Sequence, residues 1–285
     1  MPELPEVETI KRDLQKIAPG RSIKSIKLKD KSVARAWPKN YHSFFKGLKI
    51  NSVDRRAKLI LLKLSNGSAW AIHLKMTGQI VVKVKAGLLS GGHPIDNVRG
   101  VPNKFTRLTI SLSGGLDIYF NDVRKFGYWQ FVPAGALSNL LSRYGPEPLS
   151  KNLTIQKLSD NLNRRSRTTI KAALLDQTVV AGLGNIYVDE SLFLAGLKPD
   201  RRVNSLTIFN INKLFKSIRL ILKKATRARG TSFSSYLDAV GRPGSYWDKR
   251  LVYGRAGLAC RRCRSVIIKN RTAGRGTHFC PVCQK

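Results

Sequence analysis

Tyr144-Gly145-Pro146-Glu147-Pro148 divides the chain into two stretches of different periodicity. Two prolines and a glycine in succession stop a helix or a strand, so the segment reads as a linker. Upstream of it apolar residues alternate in short runs. Ile23-Lys24-Ser25-Ile26-Lys27-Leu28 is one. Residues 58–64 and 69–74 flank the turn Ser65-Asn66-Gly67-Ser68, and residues 107–112 and 116–120 flank Ser113-Gly114-Gly115. Residues 79–84 and 128–132 add further strands. Many short strands joined by tight turns, with no helix between them, predict an antiparallel β-sandwich. Residues 86–103 carry Gly87, Gly91, Gly92, Gly100, Pro94 and Pro102, which predicts a mobile insertion. Downstream of the linker the period becomes helical, over residues 153–162, 168–175, 184–195 and 205–225. The last of these places Ile208, Ile211, Phe215, Ile218 and Leu222 on one face. Val7, Ile10, Leu14 and Ile17 mark one further helix at the start of the chain. The fold class is α+β. A β-sandwich domain with an N-terminal helix spans 1–143, the linker 144–148, a helical domain 149–254, and a cysteine module 255–285.

The chain holds four cysteines, all between Cys260 and Cys283. Cys260-x2-Cys263, sixteen residues, then Cys280-x2-Cys283 is the spacing of a four-thiolate zinc site. Full cysteine ligation leaves no open position, so one structural Zn2+ is expected. Clustered rather than scattered cysteines point to a reducing compartment, and a cytoplasmic protein is expected. Residues 265–269 and 277–279 read as two strands around Thr272-Ala273-Gly274-Arg275-Gly276. Arg275 then lies near the tip of a zinc-stapled hairpin, either solvated or held for a DNA groove.

Over 285 residues, Lys plus Arg number 52 against 17 Asp plus Glu, a formal net charge of +35. A polyanion is the natural partner, because each neutralised phosphate releases counterions. An RNA-binding or ribosomal protein and an anionic membrane surface satisfy charge alone. No apolar run approaches the roughly 18 residues of a spanning helix, and the acidic, proline-containing start is the opposite of a signal peptide.

That start is Met1-Pro2-Glu3-Leu4-Pro5-Glu6-Val7-Glu8. Trimming of Met1 would leave Pro2 as a free secondary amine beside two carboxylates, Glu3 and Glu6. An α-amine keeps a larger neutral fraction near pH 7 than a lysine does. An amine next to acid/base groups is equipped to attack a sugar C1′ or a carbonyl carbon and form an imine. Proline and acids in a first helical turn are also ordinary helix-start chemistry. Val180-Ala181-Gly182-Leu183-Gly184-Asn185-Ile186 places glycines before a helix, a site for phosphate or a simple cap.

Taken in order along the chain, these motifs resemble the formamidopyrimidine-DNA glycosylase and endonuclease VIII superfamily. MPELPEVET is similar to its start, where the terminal proline is the nucleophile. Residues 180–190 are similar to its helix–two-turn–helix motif, with Asn185 at the phosphate-binding asparagine. Residues 274–281 are similar to its zinc finger, with Arg275 at the arginine that contacts backbone phosphate. The resemblance further implies Lys58, in Arg55-Arg56-Ala57-Lys58-Leu59, as the lysine at the damaged site's phosphates, and Lys171 as a lysine near the lesion. It implies Met76, in Lys75-Met76-Thr77-Gly78, as filler of the gap left by a flipped base. Arg124 and Phe126, in Asp122-Val123-Arg124-Lys125-Phe126-Gly127, would face the orphaned base and wedge the stack. Residues 229–244 are similar to its lesion-capping loop, or serve as a flexible connector.

The implied activity is a bifunctional DNA glycosylase/AP lyase of base excision repair. It would remove 8-oxoguanine and formamidopyrimidines from duplex DNA by β- and δ-elimination, with Glu3 as acid/base and Glu6 assisting. The implied partner is damaged double-stranded DNA, met by a monomer. Three features depart from the pattern: Ala172 stands where the superfamily has proline, Phe105 and Arg107 stand where it has histidines, and the insertion at 86–103 before them is unusual. Arg107 still offers a phosphate contact. Two rivals are an endonuclease VIII-like enzyme for oxidised pyrimidines and a non-catalytic zinc protein that binds nucleic acid. The division of Met76 from Arg124 and Phe126 between two turns favours the purine branch. The second rival leaves Pro2-Glu3 unexplained.

Overall fold

The computed structural model describes residues 1–84, 87–92, 100–231 and 244–285. Helix α1 (Leu4–Ile17) opens the chain, with Pro5 in its first turn, where a missing N–H leaves no bond unmade. There follow β1 (Ile23–Leu28), β2 (Ala34–Arg35), α2 (Tyr41–Phe45), β3 (Ile50–Arg56), β4 (Leu59–Leu64) and β5 (Ala69–His73). Next come β6 (Gly78–Val84), β7 (Gly87–Gly92), β8 (Thr106–Leu112), β9 (Leu116–Asp122) and β10 (Tyr128–Val132). They build two five-stranded sheets, ordered β1-β8-β9-β6-β7 and β2-β10-β5-β4-β3.

The alternation in β8 buries Thr106, Leu108, Ile110 and Leu112 and leaves the residues between them half-buried, as period-two patterning requires. The sandwich core joins Ile80, Val82, Ile110 and Phe120 of the first sheet to Ile60, Leu62, Ile72 and Trp129 of the second. Val7, Ile10 and Leu14 of α1 belong to the same cluster. Helix α1 lies against β3 and β4, which explains why β4 is buried on both faces.

The expected insertion at 86–103 is corrected in part. Gly87–Gly92 pairs as β7 along the outer edge of β6, Val82 opposite Leu89. Ladder bonds need only backbone groups, so glycines do not prevent the pairing, and the open edge of β6 gains partners. Residues 93–99 lie outside the described residues.

Helix α3 (Leu137–Leu141) ends the sandwich stretch, and the helical half comprises α4 (Ile155–Asn163), α5 (Ile170–Leu175), α6 (Asn185–Ala195) and α7 (Ile208–Arg227). The short α8 (Tyr246–Lys249) precedes the zinc hairpin, β11 (Ile268–Thr272) and β12 (Arg275–Phe279). Helix α6 is buried almost all round, its Asp189 and Glu190 included, and sits among α5, α7 and β12. The hairpin strands lie closer to their turn than expected, with Ala273 and Gly274 both at positive φ in a two-residue connection.

Two compact units result: Met1–Ser142 with Ala228–Trp247, and Arg143–Arg227 with Asp248–Lys285. Residues 228–231 and 244–247, expected within the helical domain, instead belong to the first unit. Arg229 Nη2 donates to Asp13 Oδ2 at 2.6 Å, and the Thr231 amide donates to Glu6 Oε1 at 2.7 Å. Both partners sit on α1, 216 and 225 residues away. Residues 144–148 are not a loose tether within the second unit. The Gly145 amide donates to Gln177 O, and Ala181 N donates to Pro146 O. A Cβ on Gly145 would lie 2.2 Å from Thr178 O, so glycine is required at that crossing.

Candidate functional site

In the first unit, Pro2, Glu3 and Glu6 are buried at the start of α1, Glu3 at 2% and Glu6 at 3% exposure. Glu6 Oε2 accepts the Glu3 amide at 2.9 Å, and its other oxygen accepts Thr231 N. Glu6 therefore fixes the backbone directly after Pro2 and the root of the 232–243 segment, which lies outside the described residues. One turn on, Glu8 accepts Arg55 Nε at 2.9 Å and Arg12 Nε at 2.8 Å. Burial alone would raise the Glu8 pKa, but the bonds and charges of Arg55, Arg12 and Lys11 outweigh it and hold the carboxyl below its ordinary value. Arg55 also donates to Ala57 O, shaping the tight turn from β3 to β4 that carries the buried Lys58.

Met76 and the pair Arg124 and Phe126 occupy two turns, after β5 and after β9, and all three side chains are exposed. They meet one another: Arg124 Nη1 lies 3.1 Å from Met76 Sδ, and its guanidinium sits 4.8 Å from the Phe126 ring centre. Lys125, between the pair, reaches Asp30 Oδ2 at 3.0 Å. The Ser32 hydroxyl first, and then Lys125, lower the Asp30 pKa to about 2. Half-buried Arg107 donates from Nε to the Asp122 carbonyl at 2.9 Å, at the base of the second turn. His73, closing β5, accepts the Lys75 amide on Nδ1 at 2.9 Å and so shapes the Met76 turn. Burial, with the charges of Lys75, Lys58 and Arg35, depresses the His73 pKa to about 3 and keeps the ring a neutral acceptor.

In the second unit Lys171 lies inside the fold. Its side chain has no exposed surface, and Nζ bonds Asp189 Oδ1 at 2.7 Å, also fully buried. A lysine without exposed surface and paired in this way offers nothing to a phosphate in this conformation. Asp189 Oδ2 accepts the His278 amide of β12 at 2.9 Å. Lys171 Nζ and Asn185 Nδ2 both donate to Gly276 O, at 3.3 and 2.9 Å. The first residue of α6 is thereby tied to the peptide beside exposed Arg275. The neighbouring Glu190 carboxylate accepts the amides of Leu251, Val252 and Tyr253. Gln177 pins the glycine turn before α6, accepting from Gly182 N and donating to Leu183 O.

The four cysteine sulfurs lie within 4.8 Å of one another. Cys260–Cys283 and Cys263–Cys280 are separated by 3.9 and 3.4 Å. A tetrahedron with Zn–S bonds of about 2.3 Å has edges of about 3.8 Å, so the thiolate cage fits zinc and binds it as a structural ion. Asp122, Asp189, Glu190 and His73 were not singled out from sequence. Acids inside helices or at strand ends of so basic a chain were the available signal.

The first unit is a β-sandwich, and the second is a helical unit that carries a four-cysteine zinc hairpin. Three domains match in order: the formamidopyrimidine-DNA glycosylase N-terminal domain over residues 1–129, its H2TH domain over 144–236, and the zinc finger found in FPG and IleRS over 257–285. A formamidopyrimidine-DNA glycosylase of Desulfitobacterium hafniense is 40% identical, with both chains covered in full. The MutM (Fpg) protein of Thermus thermophilus superposes with a TM-score of 0.85 at 37% identity, over 99% of this chain and 98% of that one. A Lactococcus lactis Fpg mutant, crystallised with a Fapy-dG containing DNA, gives 0.88 at 34% identity over all of both chains. The chain belongs to the formamidopyrimidine-DNA glycosylase family. It is a DNA glycosylase with AP lyase activity, acting in base excision repair of oxidised purines.

Two outcomes follow from this geometry. Unfolded histidine titrates near 6.5 and His73 near 3, so its contribution to stability is complete above pH 6.5 and is lost as pH falls towards 3. Urea unfolding between pH 7 and 4 should show a shallower decline for His73→Asn than for the parent, and identical slopes would contradict the assignment. Chelating the zinc should loosen the hairpin and lower duplex affinity about tenfold or more, reversibly. Undiminished affinity of the zinc-free protein, measured by fluorescence anisotropy, would show that Arg275 needs no such support.

Proposed function

We propose that Pro2, once Met1 is removed, is the nucleophile of a glycosylase/lyase acting on 8-oxoguanine and formamidopyrimidines in duplex DNA. The observation that carries this reading is the burial of Pro2 beside Glu3 and Glu6, with Glu6 bonded to the amide that follows Pro2. The Pro2 nitrogen attacks C1′, and the glycosidic bond breaks with its electrons passing to the base, which takes up a proton. Glu3 protonates O4′ as the sugar ring opens and the iminium forms. Loss of a C2′ proton then expels the 3′ phosphate, and a second elimination expels the 5′ phosphate. Glu6 assists by holding the backbone on either side of the reacting centre.

Lys58 contacts phosphates at the damaged nucleotide. Extruding a base costs a few kcal/mol of stacking. Met76 fills the gap while Phe126 wedges the stack, and Arg124 faces the orphaned base. The exposure of these three side chains supports that role, since nothing in the fold otherwise calls for exposed Met76 and Phe126. Arg107, Asn185 and Arg275 contact backbone phosphate, Asn185 at the amide-rich start of α6. Lys171 acts indirectly, by fixing the Gly276 peptide next to Arg275. The protein works as a monomer on damaged double-stranded DNA in the bacterial cytoplasm, at the nucleoid. Among the described residues no helix is long and apolar enough to cross a membrane.

A Pro2→Gly variant, checked for Met1 removal, should lose strand cleavage by several orders of magnitude while duplex affinity stays within about threefold. Equal loss of both would overturn the division between nucleophile and binding surface.

A further inference from the structure

We propose that Asp122 is a positioning residue for the wedge, a buried carboxylate that fastens the Met76 turn to the 124–126 turn before DNA arrives. The inference rests on the wedge reading above and adds the element that assembles it. Asp122 ends β9 opposite Gly78 of β6, so it stands where both turns leave their sheet. Its side chain has no exposed surface. Oδ1 accepts the Thr77 hydroxyl from the first turn and the Arg124 amide, at 3.1 Å, from the second. Oδ2 accepts the Gly127 amide at 2.7 Å. Thr77 Oγ1 in turn accepts the Arg124 amide at 3.1 Å, closing the link between turns 45 residues apart.

The space around this carboxylate is full. A Cβ on Gly127 would lie 2.7 Å from the Phe120 ring and 3.0 Å from Asp122 Oδ2, so only glycine brings its amide to that oxygen. A buried carboxylate persists only when hydrogen bonds replace its water. Here those bonds come from the residues flanking Met76, Arg124 and Phe126. The side chains that enter the stack are exposed and mobile in type, yet their backbones are clamped from below. Ordering them in advance removes a cost otherwise met while the base is leaving.

The test compares two reactions under single turnover. One is base excision from an 8-oxoguanine:cytosine duplex, and the other is cleavage at a preformed abasic site, which has no base to unstack. Asp122→Asn replaces one acceptor oxygen by a donor, and Thr77→Val removes the bridging hydroxyl. Each should slow excision by about 10–100-fold while cleavage at the abasic site changes by less than about threefold, and Thr77→Ser should restore excision. The two defects should not multiply in the double variant. Equal slowing of both reactions by Thr77→Val, or no slowing of excision, would overturn the positioning role. Met76→Ala and Phe126→Ala separate the two levels of the proposal. If they leave excision unchanged the wedge reading itself fails, whereas if they slow it and Thr77→Val does not, only the role of Asp122 fails.

Discussion

A chain with 52 basic and 17 acidic side chains repels itself, and that repulsion acts on the loops that carry its chemistry. The fold answers by placing scarce carboxylates, fully or almost fully buried, at the joints between segments distant in sequence. Glu6 holds the start of α1 to Thr231, Asp122 holds two turns of the sandwich together, and Asp189 holds α5, α6 and β12. Glu190 gathers three successive amides ahead of the zinc hairpin. Each of these acids accepts two or more hydrogen bonds, which is the condition under which a buried charge survives. The acids therefore mark where the molecule is stapled, with Lys171, Arg229 and Arg55 among the partners of its carboxylates, while the excess of basic residues is left to face a polyanion.

This division explains how much was legible in sequence. Zinc spacing and the two hairpin turns of the sandwich are local signals, each complete within a few dozen residues, and the structure places them where they were expected. The stripe of α7 is corrected in part: Ile211, Ile218 and Leu222 are buried, whereas Ile208 is 62% exposed and Leu214 and Ile221 complete the buried face. The remainder depends on partners that no local pattern names. Lys171 in isolation is a basic residue near a phosphate-binding motif, and only its pairing with Asp189 shows that its charge is used inside the fold. Residues 228–231 follow a helix, yet Asp13 and Glu6 draw Arg229 and Thr231 into the sandwich unit across more than 200 residues. Residues 87–92 look like loop because glycines carry no period, although the edge of β6 needed a partner. Asp122 sits within a motif whose arginine and phenylalanine attract attention, while the carboxylate beneath them is the piece that organises it.

Catalysis at a base inside a duplex makes two demands that pull against each other. The side chains entering the stack have to be exposed, and they have to be in place when the base leaves. Exposed tips on clamped backbones meet both. The same arrangement recurs at the zinc hairpin, where exposed Arg275 adjoins a peptide held by Asn185 and Lys171, and β12 is closed by the thiolate cage. At the N-terminus Glu6 fixes the peptide after Pro2.

The most direct test of this account is borohydride trapping on an 8-oxoguanine:cytosine duplex beside a thymine-glycol duplex, followed by mapping of the cross-linked peptide. The account predicts an adduct mainly with 8-oxoguanine and attached at Pro2. An adduct on a lysine, an adduct mainly with thymine glycol, or none from protein with Met1 removed and binding intact would contradict it.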